Sequence, residues 1–92
     1  MSRSPTPGAR ILVIDDEPAI RRAVERNLAG HGFDVRGADS GEEGLDLETR
    51  YHPDLVLLDM VLPDISGTDV IARLRERTSI PIIVLSVRGA EA

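Results

Sequence analysis

Three apolar runs in this chain hand over directly to polar side chains that could do chemistry. ILVI (Ile11 to Ile14) leads into Asp15 and Asp16, LVLL (Leu55 to Leu58) into Asp59, and PIIVL (Pro81 to Leu85) into Ser86. Three carboxylates about 5 Å apart repel by about 3 kcal/mol per pair at an effective dielectric of 20, or about 9 kcal/mol in all. Either one acid takes up a proton, or a hard divalent cation sits among them. An oxygen-only donor set with no histidine or cysteine placed to contribute favours Mg2+ over Zn2+, and a hydrated Mg2+ suits a phosphoryl group. Taken singly, Asp15 and Asp16 are equally well explained as acids that open a helix, and Ser86 better as an ordinary strand-end hydroxyl. Asp59 is different, because a carboxylate that directly follows LVLL faces desolvation unless something compensates it.

The elements that must position these residues repeat one plan. ILVI is continuously apolar and β-branched, as expected of a strand buried on both faces of a parallel sheet. Pro18 suits the first turn of a helix, the acids Asp16 and Glu17 suit its positive end, and Gly30 and Gly32 supply the stop. Phe33 to Ala38 forms a weaker, edge-like strand. Ser40 to Glu43 has the capping-box form, with Glu43 expected to bond back to the Ser40 N–H, and opens a helix to about Arg50 before His52 and Pro53. Gly44 weakens that helix by up to about 1 kcal/mol relative to alanine. A third strand ends at Asp59, Met60 to Gly67 is a loop, Asp69 to Arg77 is a helix, and Pro81 to Leu85 is a fourth strand. The order βαβαβαβ implies an α/β fold with a doubly wound parallel sheet. In such sheets ligands bind beyond the carboxyl ends of the strands, where Asp15, Asp16, Asp59 and Ser86 all fall.

Composition narrows the field further. The 92 residues fit one small domain, with residues 1–9 (MSRSPTPGA) expected as a disordered leader and the fold beginning at Arg10. No apolar run approaches the roughly 18–20 residues of a membrane span, and no secretory signal precedes Arg10. The absence of cysteine excludes disulfides and thiolate metal sites and fits a cytoplasmic protein. A net charge of −5 argues against nucleic-acid binding by this segment, and Arg21, Arg22, Arg26, Arg73, Arg75 and Arg77 are interleaved with acids as on solvated helix faces. His31 and His52 sit beside Gly32 and Pro53 at turns, as solvated loop histidines do.

ILVIDDEPAIR, PDLVLLDMVLPDISG and IPIIVLSV, at their spacing over residues 10–92, resemble the receiver domain of bacterial two-component response regulators, a flavodoxin-like fold. The middle and final motifs are most similar to the class with a winged-helix DNA-binding domain downstream. The resemblance implies that Asp59 accepts a phosphoryl group from a sensor histidine kinase and that Asp15, Asp16, Asp59 and the backbone carbonyl of Val61 hold Mg2+. It implies that Ser86 bonds the phosphoryl group and acts as the switch, and that Pro63 and Gly67 shape the loop.

The sequence also departs from that pattern. The family continues with a helix, a strand ending in a lysine and a final helix, whereas VRGAEA (Val87 to Ala92) cannot supply them and the chain contains no lysine. A receiver incomplete at its C-terminus is therefore expected, with the fourth strand an open edge through which a homodimer could form. Competing functions are a Mg2+-dependent aspartyl phosphatase and a phosphate-independent interaction module. The first is disfavoured by Val61, which stands where such phosphatases place a second acid. A nucleotide site is disfavoured because DDEPAI, not a glycine-rich loop, follows the first strand.

Overall fold

The computed structural model describes residues 8–86. Strands and helices alternate as β1 (Arg10–Ile14), α1 (Pro18–Gly30), β2 (Asp34–Ala38), α2 (Gly41–Tyr51), β3 (Leu55–Asp59), α3 (Gly67–Arg75) and β4 (Ile82–Ser86). All pairings are parallel and the strand order is β2-β1-β3-β4, the flavodoxin-like arrangement. The two runs with no polar interruption, ILVI and LVLL, are the two central strands. Val13, Ile14, Val56 and Leu58 are fully buried because both sheet faces are covered there.

The alternation of side chains along each strand divides the core. Leu12, Ile14, Val56 and Leu58 face α2 and α3 through Leu45, Val70 and Leu74. Ile11, Val13 and Leu57 face the other way, towards Val24 and Leu28 of α1. The sheet is thus wound on both sides, and the crevice between β1 and β3, where the chain reverses its direction of travel across the sheet, opens beyond their carboxyl ends.

Several boundaries differ from the sequence reading for local reasons. Gly8 donates to the Gly32 carbonyl and Ala9 accepts from Asp34 N–H, so backbone bonds to the fold are already made ahead of Arg10, while residues 1–7 of the expected leader lie outside the described residues. β2 begins at Asp34 and not Phe33. Pro81 precedes β4, offering its carbonyl to Val56 N–H (3.0 Å), and the strand runs on to Ser86. α3 starts two residues earlier than expected because Ser66 Oγ accepts from Asp69 N–H (3.1 Å), and it ends at Arg75 in a turn closed by the Arg77 and Thr78 amides on the Leu74 carbonyl. The capping box at α2 is also shifted. Ser40 Oγ does accept from Glu43 N–H (3.2 Å), but Glu43 Oε1 takes the N–H of Asp39 (2.9 Å) in place of Ser40's own.

The expected arginine-rich faces are more committed than solvated surface. Arg77 Nε meets Glu48 Oε1 at 2.7 Å and its Nη2 donates to the Leu45 carbonyl, while Arg73 pairs with Glu42 at 3.2 Å, so α2 is joined to the last turn of α3 and the turn that follows it. Arg75 donates to the carbonyls of Thr78 and Ile80. His31 and His52 are exposed, as expected. His52 occupies the left-handed position (φ 56°) that terminates α2.

Gly44 has a purpose that helix propensity conceals. A Cβ there would collide with the Cδ1 of Ile14 and lie 2.8 Å from its Cγ1, and Ile14 is fully buried with nowhere to yield. Gly44→Ala should therefore destabilise the protein by up to about 2 kcal/mol in urea unfolding, because overpacking of about 1–3 kcal/mol outweighs the helix-propensity gain of about 1 kcal/mol. Increased stability of the variant would mean that α2 is not seated on β1 through this residue.

Candidate functional site

Parallel pairing in register sets Ile14 beside Leu58, so the residues that follow, Asp15 and Asp59, leave the sheet side by side. Oxygens of Asp15, Asp16 and Asp59 all lie within 4.8 Å of one another. Asp15 and Asp59 are each 2% exposed, whereas Asp16 is half-buried at the rim. The two deep acids are held in the same way. Asp15 Oδ1 accepts from Glu17 N–H at 2.9 Å and Asp59 Oδ1 from Val61 N–H at 3.1 Å, each an aspartate bonding its own backbone two residues on.

Burial raises the pKa of Asp15, the Glu17 N–H opposes that rise, and the neighbouring Asp59 and Asp16 add to it. The cluster thus holds its acids against both desolvation and mutual repulsion. An all-oxygen donor set of this size, open on one side through Asp16, fits a hard divalent cation. Among the described residues it is the one group of three or more such side chains so placed.

Ser86 is placed by its backbone, which lies opposite Asp59 across an irregularity in the β3–β4 register, so the fourth candidate belongs to the same sheet edge. Val61 is exposed on the loop after β3, two residues past Asp59. Pro63 lies within that loop and Gly67 ends it, its N–H closing on the Met60 carbonyl at 3.0 Å. Residues 87–92, on which the reading of a missing C-terminal portion rested, lie outside the described residues.

Two contributors escape the sequence reading. Arg21 Nη1 donates to the Asp15 carbonyl at 2.9 Å and its Nε lies 3.8 Å from Glu25, which fixes the turn between β1 and α1. Asp64 accepts the N–H groups of Gly41 (2.9 Å) and Glu42 (2.8 Å) at the start of α2, and these bonds hold its pKa below the usual carboxylate range. Nothing local marks the Asp64 bonds, which span more than twenty residues, and the Arg21 bond goes to a backbone carbonyl six residues back with no motif of its own. Ser66 could have been found, since Ser66-Gly67-Thr68-Asp69 has the spacing of a helix start.

This fold and acidic edge are those of a phosphorelay receiver. Residues 11–92 match the family described as response regulator receiver domain, and the chain belongs to that family. It is 47% identical over 77 residues to the probable transcriptional regulator ycf27 of Porphyridium aerugineum, covering 84% of this chain and 32% of that protein. It is likewise 47% identical over 78 residues to the transcriptional regulatory protein KdpE of Mycobacterium tuberculosis, covering 85% of this chain and 34% of that protein. The chain thus spans about a third of the length of these curated relatives. The BeF3-activated N-terminal receiver domain of Klebsiella pneumoniae RstA superposes with a TM-score of 0.79 at 29% identity, over 86% of this chain and 70% of that one.

The two shifted acids respond to pH in opposite senses. The raised pKa of Asp15 means that its ionised form costs stability above the folded pKa, a cost absent below the unfolded value of about 3.9. In metal-free buffer at neutral pH, Asp15→Asn should unfold several degrees above wild type, with the gain vanishing as the pH falls below about 4. The lowered pKa of Asp64 contributes stability that is present above about pH 4 and lost as the pH falls through the folded pKa. Asp64→Asn should therefore be less stable than wild type at neutral pH, and the difference should close in acid. Thermal unfolding followed by circular dichroism across pH reads both; a pH-independent difference for either variant would contradict the assigned cause.

Proposed function

We propose that this chain is a phosphoacceptor switch, with residues 10–92 as its receiver unit and Asp59 as the acceptor. The observation that carries this reading is the convergence of Asp15, Asp16 and Asp59 within 4.8 Å at the ends of the two central strands. Asp15, Asp16, Asp59 and the Val61 carbonyl would hold Mg2+, which when bound would neutralise charge on the phosphoryl oxygens.

The chain's own residues do the rest. The Asp59 carboxylate, oriented through Oδ1 by Val61 N–H, attacks phosphorus in line. An O–P bond forms while the P–N bond of a phosphohistidine, or the P–O bond of a small acyl phosphate, breaks and its electron pair leaves with the donor. An ionised carboxylate needs no general base, so positioning and electrostatics suffice. Asp59 then carries a group of nearly −2 charge, and Ser86, opposite it at the end of β4, is the residue proposed to bond that group and pass the change to the following segment. Val61 supplies no second acid, which favours a persistent signal over turnover.

The donor in this reading is a sensor histidine kinase, and the output is a DNA-binding domain of the kind carried by the longer transcriptional regulators that the chain resembles. No helix among the described residues is long and apolar enough to cross a membrane, in keeping with a cytoplasmic role. Homodimerisation through β4 is part of the proposal, supported by its outer place in the sheet among the described residues and by the exposure there of Ile83 (51%) and Val84 (39%).

Incubation with acetyl phosphate and Mg2+ should add one phosphoryl group, read by intact mass. The addition should fail without divalent cation and in Asp59→Asn. Uptake by Asp59→Asn at the wild-type rate would sink the assignment, and continuous phosphate release over many turnovers would favour a phosphatase.

A further inference from the structure

The loop that follows Asp59 is fastened at a point remote from the acids. Asp64, at the tip of that loop, places one carboxylate oxygen on the N–H of Gly41 and the other on that of Glu42. These are the first two amides of α2, which the helix itself cannot satisfy, while Ser40 Oγ takes the third, that of Glu43. The first turn of α2 is therefore capped by two different parts of the chain: Ser40 from within, and Asp64 from the loop beside the acidic cluster.

The surfaces under this clasp are fitted to it. A Cβ on Gly41 would collide with Cγ1 of Ile65 and lie 2.9 Å from its Cδ1, so only glycine lets the loop approach α2 this closely. α2 is in turn fixed to β1 through Gly44 against Ile14, the residue before Asp15. The path from Asp64 thus returns to the strand that delivers the acidic pair. At its other end the loop carries Val61, whose N–H holds Asp59.

We infer that Asp64 is a positioning residue: its carboxylate, clasped on the amides of Gly41 and Glu42, holds the loop after β3 so that the Val61 backbone and Asp59 keep the spacing a divalent cation requires. The inference rests on the proposed Mg2+ site and assigns its loop a fixed anchor. Partners beyond the metal ligands typically contribute about 10- to 100-fold to metal affinity, and a clasp acting through the loop belongs near the lower end.

The test compares Mg2+ dissociation constants by calorimetry for wild type, Asp64→Ala, Asp64→Asn and Ser40→Ala, at a temperature where circular dichroism shows each to be folded. Ser40→Ala removes a cap from the same helix turn without touching the loop, so it separates helix stability from loop position. Measurement in about 0.5 M salt, where the Debye length is about 4 Å, screens the simple loss of a negative charge.

Asp64→Ala should bind Mg2+ about tenfold more weakly, Asp64→Asn should lie between it and wild type, and Ser40→Ala should match wild type. Wild-type affinity in both Asp64 variants, or an equal loss in Ser40→Ala, would overturn the positioning role while leaving the proposed function standing. Failure of wild type itself to bind Mg2+ would overturn both.

Discussion

The structure turns on the repulsion between carboxylates that cannot move apart. Asp15 and Asp59 stand at the ends of neighbouring parallel strands whose preceding residues, Ile14 and Leu58, are paired and fully buried. Close packing on both faces of the sheet fixes those backbones, so the strain of gathering the acids cannot be relieved by spreading the strands. It can be relieved only by protonation or by cation binding, and a phosphoryl group on an acid would add to it. A rigid floor and a charged edge make the site responsive to charge, and the floor is simply the hydrophobic core.

What surrounds the acids is a set of backbone amides. Glu17 and Val61 hold the two deep carboxylates, and the amides at the start of α2 hold Asp64. Each bond is modest, but together they tie the two loops beyond β1 and β3 to elements that pack on the sheet. The seam between α2 and α3 reinforces this. Exposed pairs such as Arg73–Glu42 contribute little, whereas Glu48 is largely buried and its carboxylate relies on Arg77.

The central strands and the acids were legible because both faces of β1 and β3 are covered, which removes the alternation that usually blurs a strand and leaves ILVI-DD and LVLL-D in plain view. The parallel, doubly wound sheet followed from the alternation of elements, and the family from three motifs together. What was not legible depends on which of several available groups a side chain or amide meets in the folded chain. The start of α3 moved because Ser66, not Asp69, begins it, and the reciprocal bond of the α2 cap fell on Asp39. The Asp64 clasp joins residues more than twenty positions apart that only the folded chain brings together, and the Arg21 bond to the Asp15 carbonyl depends on the angle at which α1 leaves β1. Gly44 looked like a weakness in a helix and proved to be the point where the helix touches the strand.

The central claim is that the acid cluster accepts a phosphoryl group at Asp59. It is tested most directly by treating the acetyl-phosphate-labelled protein with borohydride, which reduces an acyl phosphate to the alcohol, and sequencing its peptides by mass spectrometry. The expected result is homoserine at position 59 and nowhere else, formed only when Mg2+ was present during labelling. Homoserine at position 15 or 16, or labelling independent of divalent cation, would contradict the account.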